Sequence, residues 1–351
     1  MNFSELDNKF TEEFFKLVEV SSDICITSHM SPDPDSIASV LSAYSLLSEK
    51  YPQKNVKIVY GAESVKDYRN FKYFDKIEFV PDFIEYVNAF NLLIVLDGAQ
   101  YHRFTQFPEK LGTFTGKIIC IDHHSSPPDR FDLSLIVPAV SSCAELIYLS
   151  ILKNHAISNY VAETVLLGIL ADTGNFAYLK KTQSETLLTA KNLLEKSKLT
   201  LGEIQSSYMV IPKRVAPIFA EFVRNIQYHD VSGWPKFATS FVSRQFMRDG
   251  NYIDAETTKA KHLYIAIFLG KIEDCSWGFV TEPDSNGDCG ISLRSIPNSA
   301  SVLDIAQKMG FGGGHVRASG GTFKKVSEDL SPEDCITLVL DWIKVNKPLI
   351  M

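Results

Sequence analysis

The sequence has no excess of positive charge: 35 Lys and Arg stand against 42 Asp and Glu, for a formal net charge of −7. Long nucleic acid is held largely through its phosphates, which calls for a basic stripe or run. Lys180-Lys181 and Lys324-Lys325 are isolated pairs, so a long duplex partner is not expected, although a short anion gripped at one point suits an acidic chain. No apolar stretch reaches the ~20 residues of a membrane-spanning helix, and no membrane partner is expected. Residues Met1 to Lys16 are mixed polar and acidic, unlike a signal peptide. The six cysteines, Cys25, Cys120, Cys143, Cys275, Cys289 and Cys335, include no CxxC pair, which argues against a zinc ribbon or a redox motif. A reducing, cytoplasmic location is the simplest expectation. Low-complexity tracts are also missing, so an ordered globular chain is the default.

What is present is core material. The chain has 351 residues, 45% of them hydrophobic and 11% aromatic, enough for two domains of ordinary size. Strands are expected at Asp23–Ser28, Val56–Tyr60, Leu92–Leu96, Ile118–Ile121 and Leu135–Val137. Leu92–Leu96 is uninterrupted apolar sequence, as in a strand covered on both faces. Helices are expected at Ser36–Tyr51, capped by Asp35 or Ser36, and near Ser142–Lys153, Asn159–Ala171 and Ser184–Lys196. This alternation predicts an α/β domain with a doubly wound, mainly parallel sheet.

From Lys198 to Asp230 no strand signal is visible, and Leu201–Met209 and Val215–Tyr228 read as helices of a connector. Beyond it, Phe237–Val242, Leu263–Leu269, Trp277–Thr281 and Gly290–Arg294 read as strands, with a turn at Asp284–Asp288. A helix at Val302–Met309, a glycine cluster and a last helix at Ser331–Lys344 complete a smaller α+β domain. The expected division is 1–197, the α/β domain; 198–230, a helical linker; and 231–351, the α+β domain. The apolar stretch Ala139–Leu152 is a candidate homodimer face.

Ligands of open α/β sheets bind at the carboxyl ends of the strands. Four segments put acids or histidines at such ends or at a helix end: SHMSPDPDS (28–36), LDGAQ (96–100), IDHHS (121–125) and ADTGNF (171–176). Taken singly, each has an ordinary explanation, because an Asp after a strand is commonly a turn or cap residue and Asp-Thr-Gly can close a helix. Taken together, carboxylates gathered at one sheet edge would repel one another and raise each other's pKa values. Divalent cations remove that conflict, and a mixture of carboxylates and imidazoles suits Mn²⁺ or a related first-row metal. Pro34, between Asp33 and Asp35, stiffens the segment that carries two of the acids.

The order HxxPDxDS, strand-terminal Asp, DHH and ADTGxF resembles the DHH phosphoesterase superfamily. GFGGGHVRASGGTF (310–323), preceded by ISLRS (291–295), looks like the substrate-binding domain associated with its first subfamily. The resemblance runs from about residue 20 to residue 325 and is nearest to enzymes that degrade short oligoribonucleotides and dephosphorylate 3'-phosphoadenosine 5'-phosphate. It implies two divalent metals, with His29 and Asp33 on one, Asp35, His123 and Asp172 on the other, and Asp97 bridging. It places Asp122 behind a histidine ligand and His124 facing the scissile phosphate. In the second domain it assigns Arg294, Gly312, Gly313, Gly314 and His315 to substrate. His102 and Arg103 add basic groups after Asp97. Pro34 stands where glycine is common in the small oligoribonucleases of the family.

The expected reaction is Mn²⁺-dependent release of nucleoside 5'-monophosphates from short oligonucleotides, removal of a 3'-phosphate from a nucleoside bisphosphate, or both. A dinucleotide signalling phosphodiesterase is the nearest alternative, followed by a single-strand DNA exonuclease and a non-catalytic nucleotide sensor.

Overall fold

Leu92–Leu96 is buried at every position, and its side chains divide between two cores. Leu92, Ile94 and Leu96 join one apolar cluster, Leu93 and Val95 another, which is the signature of a strand covered on both faces. The computed structural model describes residues 8–62, 71–208, 210–325 and 329–351, and Met209 of the expected connector helix lies outside them. The chain divides into two compact units between Val210 and Ile211.

In the first unit the strands are β1 (Asp23–Thr27), β2 (Asn55–Tyr60), β3 (Ile77–Phe79), β4 (Leu92–Leu96), β5 (Lys117–Asp122) and β6 (Leu133–Ile136). They form one sheet in the order β3-β2-β1-β4-β5-β6, with every pairing parallel. The strand order reverses between β1 and β4, the position where open α/β sheets gather ligands. Helices α1 (Asn8–Val20), α2 (Pro34–Lys50), α3 (Phe83–Val87), α4 (Tyr101–Phe104), α5 (Cys143–Ile147), α6 (Asn159–Asp172), α7 (Glu185–Leu194) and α8 (Leu201–Tyr208) complete the unit. Phe10, Phe14 and Val18 of α1 pack in the same core as α2, α5 and α6, while α3 and the flanking turns cover the other face. Neither α1 nor β3 was legible in the sequence. The α1 stripe is interleaved with charge, and β3 is only three residues long.

Two readings of this half need correction. The cap of α2 is Asp33, neither Asp35 nor Ser36: its carboxylate accepts from the Ser36 amide at 2.9 Å. Pro34 is therefore the first helical residue, where its missing N–H is harmless. The stretch proposed as a dimer face lies in the interior, since every residue of Cys143–Leu152 is buried. Those residues are α5 and a π-helical turn, Tyr148–Leu152.

The second unit contains α9 (Val215–Arg224), α10 (Arg244–Asp249), α11 (Asp254–Ile267), α12 (Val302–Met309) and α13 (Pro332–Val345). Its strands are β7 (Gln227–His229), β8 (Phe237–Phe241), β9 (Trp277–Pro283), β10 (Cys289–Ser295), β11 (Gly312–His315) and β12 (Ala318–Phe323). The sheet order is β11-β12-β10-β9-β8-β7, antiparallel except for β8 beside β9. Phe237, Trp277, Phe279, Ile291 and Leu293 face α12 and α13, and Val280 faces α9 and α11 on the other side.

Leu263–Leu269 is not a strand; Leu263 to Ile267 are the last turns of α11. A short apolar run reads the same for a strand and a buried helix. Asp254 and Glu256 in the first turn of α11 are the helix-start signal that separates the two. The glycine cluster is a strand rather than a loop, paired with β12 from Gly312↔Gly321 to His315↔Ala318. β7 lies in the stretch that showed no strand signal, because it is a three-residue edge strand with Tyr228 exposed.

The six cysteines are all buried and free. No helix among the described residues is long and apolar enough to cross a membrane.

Candidate metal centre

Each of the four segments reaches the carboxyl edge of the first sheet by a different local device. His29 follows the end of β1, and the Met30 amide donates to the Arg103 carbonyl at 2.7 Å, tying that loop to α4. Asp33 and Asp35 are the cap and an early residue of α2. Asp97 follows β4 with φ of 57°, a left-handed conformation uncommon outside glycine and often found where a site fixes the backbone. Asp122 ends β5, His123 and His124 follow it, and Asp172 is the last residue of α6.

These devices bring the side chains into three groups whose ligand atoms lie within 4.8 Å of one another: His29, Asp33 and Asp97; Asp35, His123 and Asp172; and a third that shares residues with both, Asp97, Asp122, His123 and His124. Asp97 faces the first two. Its Oδ2 is 3.4 Å from His29 Nε2, and its Oδ1 is 3.7 Å from His123 Nε2. His29 Nε2 is 3.5 Å from Asp33 Oδ2. His123 Nε2 is 3.2 Å from Asp172 Oδ2 and 3.8 Å from Asp35 Oδ2.

Asp35 is almost completely buried, and both of its oxygens accept backbone hydrogen bonds. Oδ2 takes the Cys143 amide at 2.7 Å and Oδ1 the Ala144 amide at 3.0 Å, both in the first turn of α5. Asp122 is equally buried and serves a different histidine from the one the family resemblance implies. Its Oδ1 is 2.8 Å from His124 Nδ1 and accepts the His124 amide at 2.9 Å, while Oδ2 accepts the Ala99 amide at 2.7 Å. Asp122 thus orients His124 and fixes the loop after Asp97. The His123 and His124 rings meet edge to face, 4.6 Å between centroids.

The electrostatics show what this donor set lacks. Burial raises Asp35 well above the usual carboxylate range, and the charges of Asp97, Asp172 and Asp33 push it further. Asp172 rises to about 6, chiefly by burial. Asp97 is also opposed by burial, but His124 and His29 overcome it and hold the carboxyl low. The histidines carry the compensating charge. Burial disfavours charge on His29, yet Asp33 and Asp97 raise it to about 9. Asp122 and Asp97 raise His124 to about 10. His29 Nε2 and Asp97 Oδ1 are buried and face their charged neighbours at 3.2–3.7 Å without a well-formed hydrogen bond, and polar atoms so placed are costly in a protein interior. Divalent cations would satisfy both atoms and offset the crowded carboxylates. The residues present fit them.

In the second unit, Arg294 on β10 and His315 on β11 both pair with Ala318 of the strand between them. Directly paired residues project to the same face, so the two side chains flank Ala318, two strand spacings or roughly 10 Å apart. Gly313 and Ser292 flank Gly320 in the same way, giving a floor almost free of side chains. Above Gly313 itself the space is open, whereas at the alternate positions of β11 a Cβ on Gly312 would stand 2.1 Å from the Gly320 carbonyl, and one on Gly314, at φ of 137°, 2.6 Å from the Ala318 carbonyl. Arg294 Nη1 donates only to its own neighbour's carbonyl, Leu293, at 2.8 Å, and burial lowers its pKa. His102 is exposed on α4.

The Cys143, Ala144 and Ala99 amides left no mark in the sequence, because a backbone N–H has no residue type. Ser36, which accepts from the Asp33 amide at 3.0 Å, had a signal in its spacing from Asp33. Gly168, inside an apolar helix pattern, had one as well.

Residues 23–169 match the model of the DHH family, N-terminal domain. The chain is 29% identical over 315 residues to the probable bifunctional oligoribonuclease and PAP phosphatase NrnA of Streptococcus mutans, covering 89% of this chain and 93% of that protein. It is 27% identical over 341 residues to the bifunctional oligoribonuclease and PAP phosphatase NrnA of Thermus thermophilus, covering 94% and 93%. An exopolyphosphatase-related protein from Bacteroides fragilis shares the fold, with a TM-score of 0.79 at 22% identity over 95% of this chain and 96% of that one.

Proposed function

From the match of residues 23–169 to the DHH family, N-terminal domain, we propose that this chain is a DHH-family enzyme and a two-metal phosphoester hydrolase of short nucleotides. Its substrates are short oligonucleotides, from which it releases nucleoside 5'-monophosphates, and 3'-phosphoadenosine 5'-phosphate, from which it removes the 3'-phosphate. The names of the relatives, similar over most of both chains, support this substrate class. The observation that carries the reading is Asp97, one buried carboxylate whose two oxygens face two separate ligand groups.

In this reading His29, Asp33 and Asp97 would hold one divalent cation, and Asp35, His123, Asp172 and Asp97 the other. The mixed oxygen and imidazole donor set favours Mn²⁺. Bound there, the two cations would lower the pKa of a water and offset charge on the phosphoryl oxygens. The chain's own groups do the rest. Asp97 fixes the two groups relative to each other. Asp122 holds the His124 ring so that Nε2 is its free nitrogen, and Nε2 donates a proton to the leaving oxygen as the P–O bond breaks. Arg294 offers a planar fork to a second phosphate. His315 and the glycine floor of β11 and β12 accept a base or phosphate against bare backbone.

The test is hydrolysis of an RNA dinucleotide and of 3'-phosphoadenosine 5'-phosphate, with Mn²⁺ and with EDTA, and identification of the products. Metal-dependent release of 5'-monophosphate and of inorganic phosphate is expected. Tight nucleotide binding with no turnover of any phosphoester would replace the enzyme by a nucleotide sensor.

A further inference from the structure

Asp35 is held from two sides by hydrogen bonds and from a third by the absence of a side chain. Gly168 lies in the middle of α6, where a glycine ordinarily destabilises a helix relative to alanine by about 1 kcal/mol. A Cβ built on it would stand 2.6 Å from Asp35 Oδ1, 2.6 Å from the Ala144 Cβ and 3.2 Å from the Ala38 Cβ. Three helices, α2, α5 and α6, therefore converge on the one point of α6 that has no Cβ. The Asp35 carboxylate cannot step aside to make room. It is almost completely buried, its two oxygens are bound to the Cys143 and Ala144 amides, and an aspartate has a single carbon between backbone and carboxyl.

We propose that Gly168 is a positioning residue of the metal centre: its missing side chain sets where the Asp35 carboxylate stands, and so the geometry of the Asp35, His123 and Asp172 group. This rests on the reading of that group as a metal site. A helix glycine that served only close packing would predict something else, namely that any change restoring the helix spacing restores the site. The two roles separate because the two nearest obstacles to the added methyl, each at 2.6 Å, differ in kind. One is the Ala144 methyl, which can be removed. The other is Asp35 itself, which cannot.

The experiment is Mn²⁺ titration of the metal-free full chain, by calorimetry and electron paramagnetic resonance, for the wild type, Gly168→Ala and Ala144→Gly/Gly168→Ala. The wild type is expected to bind two equivalents with a spin-coupled spectrum. Gly168→Ala is expected to keep one equivalent at wild-type affinity, bind the other about ten-fold or more weakly, as when the support of a ligand is removed, and lose the coupling. The double variant is expected to recover part of the lost thermal stability while its second equivalent stays weak. If Gly168→Ala alone does not fold, the double variant carries the comparison with the wild type. Two equivalents of unchanged affinity in either variant, or recovery of affinity together with stability in the double variant, would overturn the proposal. Failure of the wild type to bind Mn²⁺ would instead remove the proposed function.

Discussion

In the first unit the acids and histidines stand at the ends of strands and helices whose neighbours are buried on all sides. In the second, Arg294 and His315 stand on a sheet whose last two strands hold five glycines in ten residues. The first arrangement fixes charge. Asp35 and Asp122 have both carboxylate oxygens committed to backbone amides or to His124, so their positions follow from the fold. The second arrangement clears space. Its floor is mostly backbone, and among the described residues neither Arg294 nor His315 has a carboxylate partner that would have to be displaced. Placing reactive charge calls for over-determined side chains, whereas admitting a ligand calls for unoccupied surface. One chain here uses both.

The contrast can be broken most forcefully at Asp97. Asp97→Ala removes the carboxylate common to both ligand groups, and a fall in kcat/KM of about 10³-fold is expected, on the scale of losing a principal transition-state stabiliser. Steady-state hydrolysis of a dinucleotide checks it, and a variant with wild-type turnover contradicts the bridging assignment.

Next comes Asp122→Asn, which keeps the shape but alters the partner of His124 Nδ1. It is expected to lower kcat about 10²-fold, the range for a positioned general acid, with both Mn²⁺ equivalents retained. Loss of a metal equivalent instead would show that Asp122 supports a ligand rather than His124.

The second unit should respond differently. Arg294→Ala is expected to raise KM roughly 10- to 30-fold, the worth of a charge-assisted hydrogen bond, leaving metal stoichiometry unchanged. A drop in kcat with KM intact would blur the division between charge placement and ligand admission.

The smallest effect separates two duties of one residue. Asp33 caps α2 and faces His29, so in metal-free protein Asp33→Ala should lose about 1 kcal/mol of stability while Asp33→Ser, which can still cap, loses little. Both should weaken Mn²⁺ binding. Thermal unfolding with EDTA distinguishes them, and equal destabilisation by the two variants would mean that the cap contributes nothing.

The first unit was far more legible than the second. Its strands are short apolar runs between helices of clear period, and its reactive residues sit in compact motifs at element ends, so sequence order almost specifies spatial grouping. What stayed hidden at its site was carried by backbone: the α5 amides on Asp35, the Ala99 amide on Asp122 and the left-handed turn at Asp97. In the second unit, apolar character alone misassigned Leu263–Leu269, and a glycine cluster with no strand signal forms β11. Glycine is poor strand material by propensity, yet β12 supplies a complete set of partners, and tertiary pairing overrides local preference. The dimer face failed for a related reason. Ala139–Leu152 is apolar because it is core, and apolarity does not say which surface covers it.

The central claim is that one buried aspartate joins two metal positions, and a count of bound Mn²⁺ with its electron paramagnetic resonance spectrum tests it most directly. The account predicts two equivalents per chain with exchange-coupled lines in the wild type, and uncoupled lines or fewer equivalents in Asp97→Ala. A single Mn²⁺ per chain, or two uncoupled ions in the wild type, would contradict it.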